Sequence, residues 1–357
     1  MKRINKLLDL LEKKDIDGFL VASEPNITYL SGFTGDSSFM AVTKDRVVLI
    51  TDERYTEQAQ KECHREIEVL NWIDKKRYGI ETYRHLVNTY GIRKFGFEDN
   101  IISFSTYRML ENGLSDIELV ATTGLVDELR VVKDEEEIAC LRTACEISDH
   151  SLELTIPFIK EGITEIELTA KLEYNIKTSG ADNLAFETIV ISGAKTSLLH
   201  GKPGEKVLEY GDFVLFDFGA LYKGYHADIS RTFIIGKADS KQKELYNIIQ
   251  KAEMEAVKAV KSGVPARLPD QKVREIIPEK YIPWYYPRMG HGVGLQIHES
   301  PFIDNSSDLL LRKNMTLTIE PGIYIPGWGG LRIEDTVLVK EGTYESLTNF
   351  PREMTIL

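Results

Sequence analysis

The sequence has few cysteines and no long apolar segment. Three cysteines among 357 residues are too few for a disulfide framework, and their spacing does not match a metal site. Apolar runs such as residues 47–50 and 213–216 are short, whereas a membrane helix needs about 20 consecutive apolar residues. The N-terminal stretch also lacks the apolar core of a signal peptide. We therefore predict a cytoplasmic protein that has no membrane partner.

Positive charge is also scarce. The chain carries 44 Lys+Arg against 56 Asp+Glu, a net charge of −12. Residues 126–357 account for 27 of the Lys+Arg and 36 of the Asp+Glu, a net charge of −9. Because binding to a polyanion needs clustered Lys and Arg, we expect no nucleic-acid partner. Two interpretations of the acidity stay open at this point: the carboxylates keep the surface soluble, or some of them gather around a metal.

Length and composition favour two folded domains, because 357 residues exceed a typical single domain and 42% of them are apolar. Within residues 1–125, helical apolar spacing alternates with short apolar strands, which is typical of a three-layer α/β domain. Pro25 and Asn26 predict a turn after the first strand. The predicted helices are 3–14, 52–64 and 80–90, and the predicted strands are 18–22, 39–42, 47–51, 68–72 and 94–97.

The remaining residues have a different pattern. Apolar spacing predicts one long amphipathic helix within residues 126–160, with Asp134 and Glu137 in the arrangement of a capping box. The domain boundary is placed just before this helix, at residue 125. Further helices are predicted over residues 166–178 and 240–261. The rest is rich in strands, Gly and Pro, which favours an α+β domain with an antiparallel sheet.

A weak internal repeat relates residues 214–235 to residues 317–339. Each segment has an apolar strand that ends in a carboxylate, a glycine two residues later, a turn with Tyr and Gly, and a strand with a second carboxylate. Two such hairpins predict a duplicated, pseudo-twofold antiparallel sheet. A chance likeness is the alternative, because hairpins share turn composition in general.

Four carboxylates stand out in these hairpins. Asp217 lies inside an apolar strand, Asp228 follows eleven residues later, Glu320 ends another apolar strand, and Glu334 follows fourteen residues after that. A buried ionised carboxylate costs several kcal/mol unless it is paired or bound to a metal, so a salt-bridged core residue is the alternative for Asp217. If the four side chains converge, they repel one another and raise one another's pKa values. Two divalent cations would neutralise them.

Histidines supply further candidates. His291, in the segment GHGVG at 290–294, would add an imidazole to the carboxylates. Oxygen ligands suit Mn²⁺, Mg²⁺ or Co²⁺, and one imidazole favours a transition metal. His200 lies in LHGKP and His298 in HESP, although a lone histidine is more often structural. Arg332 precedes Glu334 by two residues and therefore shares its face on an extended strand.

Several motifs resemble those of one enzyme family. They are NITYLSGF at 26–33, ADISRT at 227–232, GHGVGLQIHESP at 290–301, TIEPGIY at 318–324 and RIEDT at 332–336. Nearly the whole sequence resembles the Xaa-Pro peptidases, prolidase and aminopeptidase P, of the pita-bread metallopeptidase family. The resemblance implies an α/β N-terminal domain of the creatinase type over residues 1–125. It also implies an α+β pita-bread catalytic domain with a pseudo-twofold antiparallel sheet over residues 126–357.

The resemblance also implies a metal-dependent active site. Two divalent ions are expected, with Mn²⁺ first and Co²⁺ or Zn²⁺ as alternatives. The implied ligands are Asp217, Asp228, His291, Glu320 and Glu334, of which Asp228 and Glu334 bridge the ions. Glu320 would move the proton of the attacking water, and His298 would stabilise the tetrahedral intermediate. His200 and Arg332 match positions that lie around the substrate.

The implied reaction is hydrolysis of the peptide bond before proline in short proline-containing peptides, carried out by a homodimer. Pro287 departs from the family, whose members commonly have a histidine there. Trp284, Tyr285 and Tyr286 offer an apolar wall for the proline ring, or else belong to the core. The alternatives are another aminopeptidase of the same fold and a non-catalytic pita-bread binding module. Dipeptidase and aminopeptidase P are not distinguished by any single residue.

Overall fold

The computed structural model describes residues 1–72 and 79–357. These residues form two compact units, Met1–Arg130 and Val131–Leu357. The predicted boundary at residue 125 lies five residues before this division, because the short helix Asp127–Arg130 belongs to the first unit. Within the described ranges, none of the helices is long and apolar enough to cross a membrane.

The first unit is an α/β domain, as the periodicity predicts. Over residues 1–72 and 79–130 its strands form one mixed sheet in the order β4-β3-β2-β1-β5-β6. The strands are β1 (Gly18–Val21), β2 (Phe39–Thr43), β3 (Val47–Thr51), β4 (Glu68–Asn71), β5 (Lys94–Glu98) and β6 (Glu118–Thr122), and the helices are α1 (Lys2–Lys13), α2 (Glu24–Ser31), α3 (Thr56–Glu62), α4 (Ile80–Tyr90), α5 (Phe104–Gly113) and α6 (Asp127–Arg130). The central strands β1, β2 and β3 are buried along their whole length, as expected where both faces of a sheet are covered.

The predicted turn at Pro25 and Asn26 was wrong, because these residues begin helix α2. Proline is tolerated in the first helical turn, where its missing N–H has no partner to lose. The buried carboxylate of Glu98 accepts hydrogen bonds from the backbone N–H of Ala22 (2.7 Å) and Ser23 (2.8 Å) and from Nδ2 of Asn26 (2.6 Å). A side chain more than 70 residues away therefore caps the helix, and local sequence signals do not reveal such a contact.

The second unit is an α+β domain with antiparallel sheets, as predicted. Two of its sheets have the strand orders β20-β12-β9-β8 and β14-β13-β15-β18-β19. The helices are α7 (Glu135–Thr155), α8 (Glu165–Thr178), α9 (Ser240–Ala259) and α10 (Arg267–Ile276). The strands are β7 (Asn183–Leu184), β8 (Ile189–Ser192), β9 (Phe213–Phe218), β10 (Ala220–Tyr222), β11 (Tyr225–His226), β12 (Ile229–Ile234), β13 (Arg288–Gly292), β14 (Glu299–Asp304), β15 (Thr316–Ile319), β16 (Gly322–Ile325), β17 (Gly329–Arg332), β18 (Asp335–Val339), β19 (Tyr344–Ser346) and β20 (Thr355–Ile356).

The second unit repeats one arrangement twice along the chain, which confirms the predicted pseudo-twofold sheet. In the first copy, helices α7 and α8 precede β8, β9, the hairpin β10–β11 and β12. In the second copy, helices α9 and α10 precede β13, β15, the hairpin β16–β17 and β18. Strand β9 pairs antiparallel with β12, and β15 pairs antiparallel with β18. An antiparallel bridge between Ser230 and Glu334 joins the two sheets. The start of β12 therefore meets the start of β18 at the centre of the unit.

The helix predicted within residues 126–160 is interrupted. The predicted capping box is confirmed: Asp134 adopts an extended conformation and caps α7 together with Glu137, so the helix begins at Glu135. At the other end, α7 gives way to a 3-10 turn over 156–158 that contains Pro157. Helix α10 forms although Pro269 lies in its first turns, because that position needs no intrahelical N–H donor.

Candidate metal centre

The four carboxylates come from equivalent places in the two hairpins. Asp217 lies near the end of β9, and Asp228 precedes β12 by one residue. Glu320 follows β15 by one residue, and Glu334 precedes β18 by one residue. The antiparallel registers place Asp217 opposite Ser230 and Ile319 opposite Asp335. Because the two hairpins meet at the Ser230–Glu334 bridge, the ends that carry carboxylates face one another.

His291 lies among these carboxylates on strand β13. Its Nε2 is 3.5 Å from Oδ2 of Asp228 and 3.5 Å from Oε1 of Glu320. Its Nδ1 is 3.0 Å from the carbonyl oxygen of Gly292, which can only accept, so Nδ1 carries the proton and Nε2 presents a lone pair. Ligand atoms of Asp228, His291 and Glu334 all lie within 4.8 Å of one another. This trio has the composition and spacing of a cation site.

The same trio contains unsatisfied buried oxygens. Oδ1 of Asp228 and Oε1 of Glu334 are buried and have no hydrogen-bond partner within residues 1–72 and 79–357. Such atoms are rare in folded proteins, because a buried acceptor without a partner loses its hydration uncompensated. A divalent cation with oxygen and imidazole ligands would satisfy both. The donor set therefore fits the metal centre that the sequence predicts.

The pKa values of the cluster also favour a bound metal. Burial, followed by repulsion from neighbouring carboxylates, raises the pKa values of Asp228 and Glu334 well above those of ordinary carboxyl groups. Burial is also the main reason that the pKa of Glu320 rises to about 7 and that of His291 falls to about 4. Without a metal the ionised carboxylates are destabilised and the imidazole stays neutral. A neutral imidazole and ionised carboxylates are the forms that bind a metal.

Arg332 is part of this cluster. Its guanidinium donates to Oδ2 of Asp217, to Oγ of Ser230 at 2.8 Å and to the hydroxyl of Tyr324 at 2.6 Å. Its Nε lies 3.9 Å from Oε2 of Glu334, and Ser230 donates to that same oxygen at 2.6 Å. Arg332 is buried, so it orients carboxylates as well as facing the cavity. Ser230 and Tyr324 were not singled out from the sequence, and only their contacts with Arg332 reveal them.

His200 and His298 line the cavity above the cluster. This cavity has a volume of about 590 Å³, and it is also lined by all five predicted ligands and Arg332. The ring of His298 lies 4.3 Å from that of His291 and is nearly perpendicular to it. Burial, and then the proximity of His200, lowers the pKa of His298. Both histidines are thus placed to touch a molecule that reaches the carboxylates.

The three aromatic residues at 284–286 do not act as one wall. Tyr286 lines the cavity, whereas Tyr285 is buried and donates to Oδ1 of Asp270 at 2.5 Å. Trp284 is outside the cavity lining and packs near Tyr281, with ring centroids 6.3 Å apart. Further apolar lining, which the sequence did not identify, comes from Phe186, Ile189, Leu199, Ile297 and Phe302.

The fold and the buried carboxylate–imidazole cluster together define a two-unit metallohydrolase. Family models agree with this class. Residues 139–341 match the model of metallopeptidase family M24, and residues 3–132 match the creatinase/prolidase N-terminal domain. The chain therefore belongs to metallopeptidase family M24 and is a metal-dependent hydrolase, as the motif resemblance predicted.

Individual proteins resemble the chain over its full length. It is 38% identical to the Xaa-Pro dipeptidase of Pyrococcus furiosus over 99% of both chains. Its structure superposes with TM-score 0.94 on an Xaa-Pro dipeptidase from Bacillus anthracis, at 39% identity over 100% of this chain and 99% of that one. An X-Pro aminopeptidase from Thermotoga maritima gives TM-score 0.91 at 37% identity over 99% of both. Relatives with dipeptidase and aminopeptidase names are thus about equally similar.

Proposed function

We propose that this protein is a dinuclear metal exopeptidase that hydrolyses the peptide bond before proline in short peptides. The observation that carries the proposal is the buried set of carboxylates and His291, with two unsatisfied oxygens, on the floor of an open cavity. The names of the relatives from Pyrococcus furiosus, Bacillus anthracis and Thermotoga maritima supply the specificity for proline.

The proposed metal ligands are the five side chains predicted from the sequence. Asp228, His291 and Glu334 form the compact trio, Glu320 lies beside His291, and Asp217 contacts Arg332. Divalent ions at these side chains would activate a water molecule and polarise the scissile carbonyl group. The resemblance implies that Asp228 and Glu334 would serve both ions, and each has one oxygen free of other partners in the described residues.

Glu320 is the proposed proton carrier. A group that takes a proton from water and returns it to the leaving nitrogen works best with a pKa near the working pH. Burial raises the pKa of Glu320 to about 7, and its side chain keeps 22% exposure at the cavity. The hydroxyl of Thr318 lies 3.4 Å from its Oε1. In the metal-free protein Glu320 can therefore exchange a proton near neutral pH, and a bound ion would favour its ionised form.

The exposed histidines are proposed to contact the substrate. His298 is placed beside His291 to donate a hydrogen bond to the oxygen that becomes negative in the transition state. His200, which also lines the cavity, would bind the backbone on the proline side. The nitrogen of the scissile amide carries no hydrogen when proline follows. The pocket must therefore recognise the ring by shape, for which Phe186, Tyr286 and Phe302 are available.

The test is hydrolysis of matched peptides by the protein loaded with Mn²⁺. We expect cleavage of an Xaa-Pro dipeptide or an Xaa-Pro-Xaa tripeptide and much slower cleavage when alanine replaces proline. Asp228→Asn should abolish cleavage and lower the metal content measured by mass spectrometry, while circular dichroism stays unchanged. Asp308→Asn, at an exposed carboxylate, is the matched control. Full activity of metal-free Asp228→Asn protein, or no preference for proline, would contradict the proposal.

Manganese as the resident metal, a homodimeric state and a cytoplasmic location complete the proposal. Oxygen ligands with a single imidazole support Mn²⁺, with Co²⁺ or Zn²⁺ as alternatives. Metal analysis of protein isolated from its own cells, light scattering on the purified chain, and cell fractionation test these three statements separately.

A further inference from the structure

A buried ion pair lies outside the cluster of candidate ligands. Nζ of Lys133 is 2.5 Å from Oε1 of Glu299, and the two side chains are only 1% and 7% exposed. Such a pair adds little net stability, because removing two charges from water offsets most of their attraction. The loss of one partner is costly, however, because the other charge then stays buried alone. The pair is therefore suited to fixing the position of the segments that it joins.

The carboxylate belongs to the segment that carries His291 and His298. Glu299 directly follows His298 at the start of β14, and it pairs with Gly292, the neighbour of His291, across β13 and β14. Its carboxylate packs against the turn between the two histidines, because a Cβ atom at Gly294 would lie 2.6 Å from Oε1 of Glu299. The chain between the two histidines therefore passes close to this one carboxylate.

The ammonium group is fixed from the other half of the second unit. Lys133 comes one residue before Asp134, which caps α7. Its backbone N–H donates to the carbonyl oxygen of Asn314 at 2.8 Å. Glu299 lies 166 residues further along the chain. The ion pair thus ties the segment that carries the histidines to the beginning of a capped helix.

The ring of His298 depends on its backbone for its position. Its side chain is exposed, so packing restrains it weakly, and its ring contact is the nearly perpendicular one with His291 at 4.3 Å. A shift of the backbone at residue 299 would therefore move the imidazole as well.

We propose that Lys133, through Glu299, holds the imidazole of His298 where it meets the substrate. Both are positioning residues, since neither lines the cavity within the described residues. The inference rests on the proposed function, in which His298 donates to the oxygen that becomes negative. Misplacing such a group by about 1 Å can lower a rate about 100-fold. The loss falls on kcat, because this hydrogen bond forms in the transition state.

The first experiment is a double-mutant cycle on Mn²⁺-loaded protein with an Xaa-Pro dipeptide. Lys133→Met should lower kcat by about 10- to 100-fold while KM stays nearly unchanged. In a His298→Ala background the same substitution should have no further effect, because the group that it positions is absent. Lys206→Met removes a partly exposed pair with Asp212 outside the cavity. It is the matched control and should leave kcat unchanged.

A second measurement does not depend on catalysis. In metal-free protein with isotope-labelled histidine, His298→Ala identifies the ring signal of that residue in the NMR spectrum. We expect this signal to shift in Lys133→Met and to stay in place in Lys206→Met. If Lys133→Met does not fold because Glu299 is left buried alone, its combination with Glu299→Gln removes both charges and replaces it in both experiments.

The possible results separate two failures. Equal losses of kcat with and without His298, or a ring signal that does not move, would overturn the role of Lys133 and leave the proposed function intact. If wild-type protein cleaves no Xaa-Pro bond, the proposed function fails. The ring signal then decides by itself whether Lys133 positions His298, and an unchanged signal overturns that inference as well.

Discussion

Glu320 combines two properties that the other carboxylates of the centre do not share. Its side chain keeps 22% exposure, against 6% for Asp228 and 2% for Glu334, so water and substrate can reach it. Burial nevertheless raises its pKa to about 7. The residue therefore sits where a proton can arrive and leave, and without a bound metal its pKa lies near neutral.

In the metal-free protein this raised pKa makes stability depend on pH. A carboxyl group whose pKa is 4.5 when unfolded and about 7 when folded holds its proton more tightly in the folded state. Its contribution to stability is therefore complete below pH 4.5 and is lost as pH rises through 7. We expect the free energy of unfolding of metal-free wild-type protein, relative to Glu320→Gln, to fall over this interval.

Urea unfolding at several pH values, with a chelator present, measures this dependence. Glu341→Gln, at an exposed glutamate, should show no such trend against wild type. If the free energy of unfolding of wild-type protein, measured relative to Glu320→Gln, rises with pH instead, the raised pKa of Glu320 is contradicted. When Mn²⁺ replaces the chelator, the free energy of unfolding should no longer fall with rising pH, because the ion favours the ionised form of Glu320.

Among the elements, strands β12 and β18 decide the geometry of the centre because they join the two hairpins. Arg231, fully buried on β12, donates to the carbonyl oxygens of Ser230 (2.9 Å) and Glu334 (2.6 Å). It also donates to Oδ1 of Asp335 at 2.8 Å. The guanidinium thus clamps the backbone beside the proposed metal ligand Glu334 and is itself neutralised by a buried carboxylate.

Removing this clamp should be costly. Arg231→Met leaves Asp335 with a weaker set of partners and the carbonyl of Glu334 without a donor, so we expect a loss of about 3–5 kcal/mol in the free energy of unfolding. Denaturant unfolding at pH 7 measures it. Arg142→Met removes a half-exposed pair with Glu345 and should cost less than about 1 kcal/mol. Equal losses for the two variants would show that Arg231 has no special role.

Element types could be predicted where periodicity and capping signals are local. The helix at 80–90 and the strand at 47–51 were predicted with their observed bounds, and the capping box at Asp134 was identified. The turn at Pro25 was wrong because the cap of α2 comes from Glu98. Helix α5 and strand β6 were not identified, and α5 is largely exposed with Leu110 as its buried residue, so its apolar periodicity is weak.

At the scale of the whole molecule, much of the acidity of the second unit is concentrated in one place. Residues 126–357 carry a net charge of −9, and four of these charges belong to the cluster around His291. Two divalent cations would reduce the net charge of these residues from −9 to −5. Metal binding at this cluster would therefore be coupled to the folding of the unit, because the cluster exists only in the folded state.

Metal removal should consequently lower the stability of the second unit and leave the first unaffected. At a metal concentration of 100 times the dissociation constant, one bound ion contributes about 2.7 kcal/mol, which corresponds to a shift of about 5–10 °C in the melting midpoint of a unit this size. Calorimetry with and without a chelator measures the shift, and Mg²⁺ added back in place of Mn²⁺ serves as the comparison. A scan that the chelator leaves unchanged would contradict the coupling.

The sequence by itself determined the two-domain organisation, the repeated hairpins, the family and the candidate ligands, because these depend on periodicity and on motifs that are contiguous in the chain. Only the tertiary structure decided how the candidate ligands meet. The bridge between Ser230 and Glu334, the bonds of Arg332 to Asp217 and Tyr324, and the separation of Tyr286 from Tyr285 all depend on contacts between distant segments. Burial, charge and unsatisfied oxygens arise from those contacts, so no local pattern in the chain encodes them.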